Sequence, residues 1–129
     1  MKYIVCNRFK AKAICGNVNL PSLTECECNN MEITWNGKLL CMATSENAHQ
    51  YFARNDDGNG MERGSLTHRI TKKLSQKDRD YQKRWDKIWA DGVCQKYKRK
   101  PYTDFWLWNH DFYNADINDL RYIAKLIDA

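Results

Sequence analysis

The first third of the chain alternates in polarity, while the remainder repeats its apolar residues every three or four positions. Lys2 to Asn7 (KYIVCN) mixes β-branched and aromatic residues, and Lys10 to Cys15 (KAKAIC) alternates basic and small ones, so both predict strands. Gly16 and Pro21 punctuate the connection that follows. Thr24 to Cys28 (TECEC) alternates again, turning Glu25 and Glu27 to water and leaving Cys26 and Cys28 on the other face. Asn29-Asn30 is a turn signal, and Asn36-Gly37 is the favoured pair for a two-residue hairpin. Together they predict a meander of Thr24–Cys28, Met31–Trp35 and Lys38–Ala43.

Helical periodicity takes over after Ala43. Thr44 or Ser45 can cap a helix through Asn47, Ala48, His49, Tyr51 and Phe52, and Glu46 suits its first turn. The polar run Asn55 to Gly60 (NDDGNG) separates it from a second helix over Met61–Leu74, where Leu66, Ile70 and Leu74 recur every fourth residue. Ser75-x-x-Asp78 resembles a capping box opening a third helix. On that helix Tyr81, Trp85, Ile88 and Trp89 make an apolar face that ends at Asp91-Gly92. Lys96 to Lys100 is a basic connector stopped by Pro101, and the most apolar run, Phe105 to Trp108 (FWLW), follows. Asp116 can cap a last helix whose Ile117, Leu120, Ile123, Ala124 and Ile127 keep one apolar side.

The expected fold class is therefore α+β: a small N-terminal antiparallel β-sheet carrying a cysteine cluster, then a helical C-terminal part. At 129 residues the chain predicts a single domain, with residues 1–44 as the sheet part and 45–129 as the helical part. Five Trp and seven Tyr supply a real core despite the hydrophilic average. No run approaches the roughly 18 apolar residues of a membrane span, and MKYIVCNRFK is too short in apolar residues for a signal peptide. The reading is a cytosolic protein with reduced thiols and no membrane partner.

The net charge of +5 is unevenly spread. Residues 68–100 hold 12 Lys and Arg against 4 Asp, a net of +8, while the remainder carries a net of −3. Lys72, Lys73, Lys77, Lys83, Arg84, Lys87 and the cluster from Lys96 to Lys100 could meet nucleic-acid phosphates. A solvated basic face or an acidic protein partner fits the same residues.

Four of the six cysteines lie between Cys15 and Cys41. At such density in a chain without a secretion signal, thiolates point to a structural zinc on Cys15, Cys26, Cys28 and Cys41, with Cys6 or His49 as substitutes. Four protein ligands would leave no open position, so the metal would brace the fold and do no catalysis. Free Cys as a buried hydrophobe, or disulfides, remain the alternatives. The register matters here. With Asn36-Gly37 as a two-residue loop Cys41 falls opposite Glu32, facing away from Ile33. With Asn29-Asn30 as another, Cys26 pairs with Ile33, so Cys26 and Cys28 face away from Cys41. A bulge near Cys28 or Cys41 would reunite them.

The acidic glycine loop lacks the ligand spacing of a calcium loop. Asp56, Asp57, Glu62 and His68 could bind magnesium in a nuclease, though such a loop is more often a turn with Gly at positive φ. His49, His68 and His110 are dispersed and form no Cys-His or Ser-His arrangement.

The runs VCNRFKAKAICGNVNLPSLTECEC, GKLLCMATSENAHQYFARNDDGNGMERG and WLWNHDFYNADINDLRYIAKL resemble a small family encoded in prophages of Firmicutes. The likeness extends over nearly the whole chain, and small metal-containing proteins of this kind occur among the type II-A anti-CRISPR inhibitors of Cas9. It implies a non-enzymatic phage anti-defence protein whose partner is the host Cas9 and whose place is the host cytoplasm. It supplies no catalytic motif. Net positive charge argues against imitation of DNA, so such an inhibitor would block a recognition lobe or hinder guide or target loading. Tyr51, Arg54, Arg63 and the FWLW segment are the interface candidates.

Overall fold

The computed structural model describes residues 1–13, 16–43, 48–97 and 115–129. It is an α+β protein, with an N-terminal antiparallel sheet followed by helices. The chain forms two compact units, residues 1–65 and 66–129. The first holds seven strands: β1 (Lys2–Val5), β2 (Phe9–Ala13), β3 (Gly16–Leu20), β4 (Glu25–Asn29), β5 (Glu32–Trp35), β6 (Lys38–Met42) and β7 (Phe52–Arg54). A short helix α1 (Ala48–Tyr51) precedes β7, and α2 (Gly60–Ser75) runs through the boundary. The second unit continues with α3 (Tyr81–Ala90), α4 (Gly92–Gln95) and α5 (Ile117–Leu126).

Five strands form one antiparallel sheet in the order β6-β5-β4-β1-β7, and β2 and β3 form a separate hairpin. β1 is buried on both faces, Tyr3, Ile4 and Val5 being at most 4% exposed. Successive side chains alternate, so Tyr3 and Val5 look one way and Ile4 the other. Cross-strand partners share a face, which puts Phe52 and Arg54 with Val5 and Tyr3, and Ala53 with Ile4. The hairpin closes the first face: the Phe9 ring lies 5.0 Å from that of Phe52, and Phe9 and Leu20, paired across the hairpin, are both buried. The start of α2 closes the second. A Cβ on Gly60 would come within 2.8 Å of the Ile4 side chain, and one on Gly64 within 2.8 Å of Cys6 Sγ. Glycine at both positions lets the helix backbone approach the sheet.

Both tight loops of the meander use positive φ. Asn36 and Gly37 sit at 50° and 76°, as a two-residue hairpin of mirror-image type requires. The other loop falls on Asn30-Met31, at 51° and 68°, one residue beyond the expected Asn29-Asn30. Cys28 therefore pairs with Ile33. The expected pairing of Cys26 with Ile33 differs by two residues and turns the same side chains inward, so alternation alone cannot choose between them.

The sequence reading missed two strands. β3 shows only Val18 and Leu20 as apolar alternation, and β7 was assigned to the end of a helix. Tertiary pairing decides the latter: Tyr3, Ile4 and Val5 take Arg54, Ala53 and Phe52 as partners. The expected cap of α1 at Thr44 or Ser45 and the FWLW segment lie outside the described residues.

In the second unit, Leu66, Ile70 and Leu74 of α2 join Ile88, Cys94, Ala115, the α5 residues Ile117, Leu120, Ile123 and Ala124, and Ile127 just beyond it in one core. The Asp116 carboxylate caps α5 by accepting the Asn118 N–H at 2.8 Å. The expected capping box at Ser75 does not form. Ser75 turns back to the Thr71 carbonyl at 2.8 Å, Asp78 accepts from Arg84, and α3 begins at Tyr81 with no side-chain cap. A buried guanidinium is the stronger claimant for that carboxylate.

Two glycines at helical positions separate the effect of close approach from that of propensity. Gly64→Ala should lose about 1–3 kcal/mol by overpacking against Cys6 and Ala53. A Cβ on Gly92 meets nothing within 4 Å, so Gly92→Ala should be neutral or gain up to about 1 kcal/mol. Urea unfolding of the two variants checks the pair.

Candidate functional site: the cysteine face and the acidic clasp

The cysteine face is built by alternation. Glu25 and Glu27 are exposed, and Cys26 and Cys28 are buried at 4% and 9%. β6 then departs from regular pairing. Trp35 pairs with Lys38 and Thr34 with Leu39, but Ile33 pairs with Cys41, leaving Leu40 as the extra residue of a bulge. That bulge brings Cys41 onto the face of Ile33, and hence onto that of Cys26 and Cys28. Fully buried Ile33 lies on the strand between Cys28 and Cys41.

Burial sets the chemistry of these thiols. Desolvation pushes Cys26 up to about 11, with proximity to Cys41 adding to the shift. It raises Cys28 as well, opposed by the proximity of the Tyr3 hydroxyl. Tyr3 is buried and held far above the usual phenol range by the same desolvation and by Cys28. Cys6, on the α2 side of the sheet, is likewise pushed to about 11. Neutral thiols in such surroundings act as small apolar groups.

Of the expected zinc ligands, Cys26, Cys28 and Cys41 share one face, whereas Cys15 and the imidazole of the substitute His49 lie outside the described residues. Among the described residues no three Cys, His, Asp or Glu side chains gather as a metal-binding group. Cys6, Cys26 and Cys28 are free thiols. Sequence reasoning did not mark Tyr3 as a partner of this face; its place opposite Cys26 in the β1–β4 register is what puts it there.

The acidic loop is a clasp. Arg63, wholly buried on α2, donates to Asp57 at 2.7 and 3.1 Å and to the Arg54 carbonyl at 2.8 Å. Asp57 also accepts the Asn59 N–H at 3.0 Å. Asp56 accepts the Lys2 N–H at 2.8 Å and stands 4.0 Å from Arg54. Asn55 accepts the Gly60 N–H at 2.8 Å, and Gly58 turns at φ 77°. The Arg63 hydrogen bond, followed by the smaller pull of its charge and of Asn59, holds Asp57 far below the usual carboxylate range. These contacts fix the strand end, the loop and the start of α2 together.

That geometry bears on two readings. Arg63 is inside the protein and cannot be an interface residue, and Tyr51 is half-buried, its ring 5.1 Å from Phe9. As for a magnesium site, Asp56 and Asp57 face donors within the protein, while Glu62 and His68 are exposed.

In the helical unit the basic residues divide. Arg84 is buried and donates to Asp78 at 2.9 Å and the Gln76 carbonyl at 2.7 Å. Lys96 meets Asp119 at 3.2 Å. Lys72, Lys77, Lys83 and Lys87 are exposed. The cluster at residues 98–100 and His110 lie outside the described residues.

Comparison with protein-family models, curated proteins and solved structures finds no match to this chain.

The clasp is testable by pH. A depressed folded-state pKa contributes stability above the unfolded carboxylate value near 4, and that stability is lost as pH falls toward the folded value. Asp57→Asn should cost about 2–3 kcal/mol at pH 7, less than a fully buried pair because Asp57 is partly solvated. It should also flatten the decline of stability between about pH 5 and 2. Urea denaturation at several pH values, wild type beside variant, reads both effects.

Proposed function

We propose that the protein is a phage anti-defence factor that binds the host Cas9 and blocks nucleic-acid loading or cleavage, with a structural zinc on Cys15, Cys26, Cys28 and Cys41. The target comes from the sequence resemblance. What supports binding over catalysis is the clasp: Asp57, the acidic residue best placed to lead a metal nuclease, is spent on buried Arg63 at 2.7 Å. Asp56 is likewise turned to the Lys2 N–H at 2.8 Å. A carboxylate so engaged holds the fold and has little capacity left for a magnesium ion.

Two observations support the zinc. The bulge at Leu40 puts Cys41 on the face of Cys26 and Cys28. The hairpin also crosses this sheet, for Phe9 at the start of β2 meets Phe52 of β7, while β2 also contacts β6 at the opposite edge. Cys15 follows β2 in sequence, two residues after Ala13. A bound zinc would supply the charge that makes thiolates stable where burial alone makes them neutral.

The deciding experiment mixes purified protein with type II-A Cas9 and its guide and measures complex formation and target cleavage. Stoichiometric binding with loss of cleavage is expected, and Arg54→Glu should weaken it at least about tenfold if this half-buried residue lies at the rim. Absence of binding to free and guide-loaded Cas9 removes the target assignment. Metal analysis of untagged protein should give about one zinc per chain, lost together with folding in Cys28→Ser or Cys41→Ser. Six reactive thiols and no metal would leave the cysteines as core residues.

A further inference from the structure

Tyr81, Trp85 and Trp89 recur every fourth residue along α3 and therefore stand in one row. All three are half-buried. Trp85 and Trp89 stack with centroids 6.1 Å apart, and Tyr81 meets Trp85 edge-on at 6.4 Å. The Trp85 indole N–H donates to the Leu74 carbonyl at 3.0 Å, which locks the row against the end of α2. Beside it opens a recess of about 220 Å³ lined by Leu74, Ser75, Lys77, Tyr81 and Trp85. The Lys77 ammonium stands 4.0 Å over the Tyr81 ring and 2.7 Å from its hydroxyl.

The chemistry of this recess is specific. Its wall is hydrocarbon and aromatic ring, and its rim is cationic. The lysine of that rim, Lys77, forms no salt bridge among the described residues, and Asp78 next to it in sequence is engaged by Arg84. The recess is smaller than the roughly 300 Å³ at which sites for drug-sized ligands begin. An occupant must therefore insert something small, flat and apolar while keeping negative charge at the rim. A nucleotide within a single strand has that form, whereas a duplex hides the faces of its bases.

We propose that the Tyr81–Trp85 recess is a docking site for single-stranded nucleic acid. One base enters and stacks on the Tyr81 ring with its edge toward Trp85, and Lys77 meets a flanking phosphate. The strand is held without sequence-specific contacts, and the site is independent of the Cas9 assignment.

The test is fluorescence anisotropy of a labelled short oligo-dT with the full chain at low salt. Wild type should bind, and Tyr81→Ala should bind roughly tenfold or more weakly, as expected for one lost stacking partner. Tyr81→Phe, which keeps the ring, should stay within about a factor of two. Lys77→Gln should reduce the slope of log affinity against log salt by about 0.7, one phosphate contact on a single strand. Failure of wild type to bind overturns the proposal and leaves a protein partner for this face. Equal binding by Tyr81→Ala, or equal affinity for a hairpin duplex, overturns it too, by reducing the effect to general charge. If Tyr81→Ala does not fold, Tyr81→Leu retains the bulk without the ring and decides the same question.

Discussion

The double-sided burial of β1 is the constraint on which the sheet unit depends. Tyr3, Ile4 and Val5 have no face left for water, so both sides of the strand must be covered. The hairpin covers one side through Phe9, and α2 covers the other by laying Gly60 and Gly64 against Ile4, Cys6 and Ala53. A helix drawn so close buries Arg63, the neighbour of Gly64, while Met61 and Glu62 stay exposed. A guanidinium with 0% exposure has to be matched by acceptors, and the loop ahead of α2 provides them through Asp57 and the Arg54 carbonyl. The acidic loop thus follows from the packing of the strand. Its charge is an answer to a buried cation.

The cysteine face obeys the same rule of burial with softer groups. A thiol can enter a core as a small hydrophobe only while it stays protonated, and desolvation at Cys26 and Cys28 favours that state. Tyr3, opposite Cys26 and close to Cys28, is pushed the same way. A metal ion would reverse the balance, because its charge stabilises thiolates that burial alone would protonate. The two readings of these cysteines therefore differ in one physical quantity, the charge at the face. The bulge at Leu40 matters under either reading. It keeps Leu40 at 1% exposure while returning Cys41 to the side of its neighbours.

What could be read in the sequence was what depends on local period. TECEC showed which residues face water, Asn36-Gly37 showed a hairpin, and the apolar spacing from Ile117 to Ile127 showed the inward side of α5. Period two fixes a register only to the nearest pair of residues, so the loop at Asn30-Met31 and the partner of Ile33 were beyond it. β7 is three residues long and owes its extended form to pairing with β1, a contact some 50 residues distant in sequence. The capping box failed for a related reason: Asp78 accepts from Arg84, six residues away, and from the Asp80 N–H, while Ser75 turns back to the Thr71 carbonyl. The proposed zinc ligands could be listed from the cysteine spacing alone. Whether three of them share a face depended on one inserted residue in β6, which spacing does not encode.

The basic character of residues 68–100 looks uniform in the sequence and is not uniform in the fold. Helical geometry divides α3 into three stripes. Arg84 and Ile88 form the inward one, Lys83 and Lys87 lie along one side, and Tyr81, Trp85 and Trp89 lie along the other. Arg84 is neutralised within the protein by Asp78, so its charge counts toward stability and contributes little to any surface field. The exposed lysines are different, because a solvated ammonium keeps its charge available to a partner. An amphipathic helix needs only one apolar stripe for its core. Here Ile88 is fully buried while the row of rings beside it stays half-exposed, with its polar indole N–H already satisfied by Leu74. Trp85 packs against that core from its edge, and the exposed parts of the row lie on a helix that also carries solvated lysine ammonium groups.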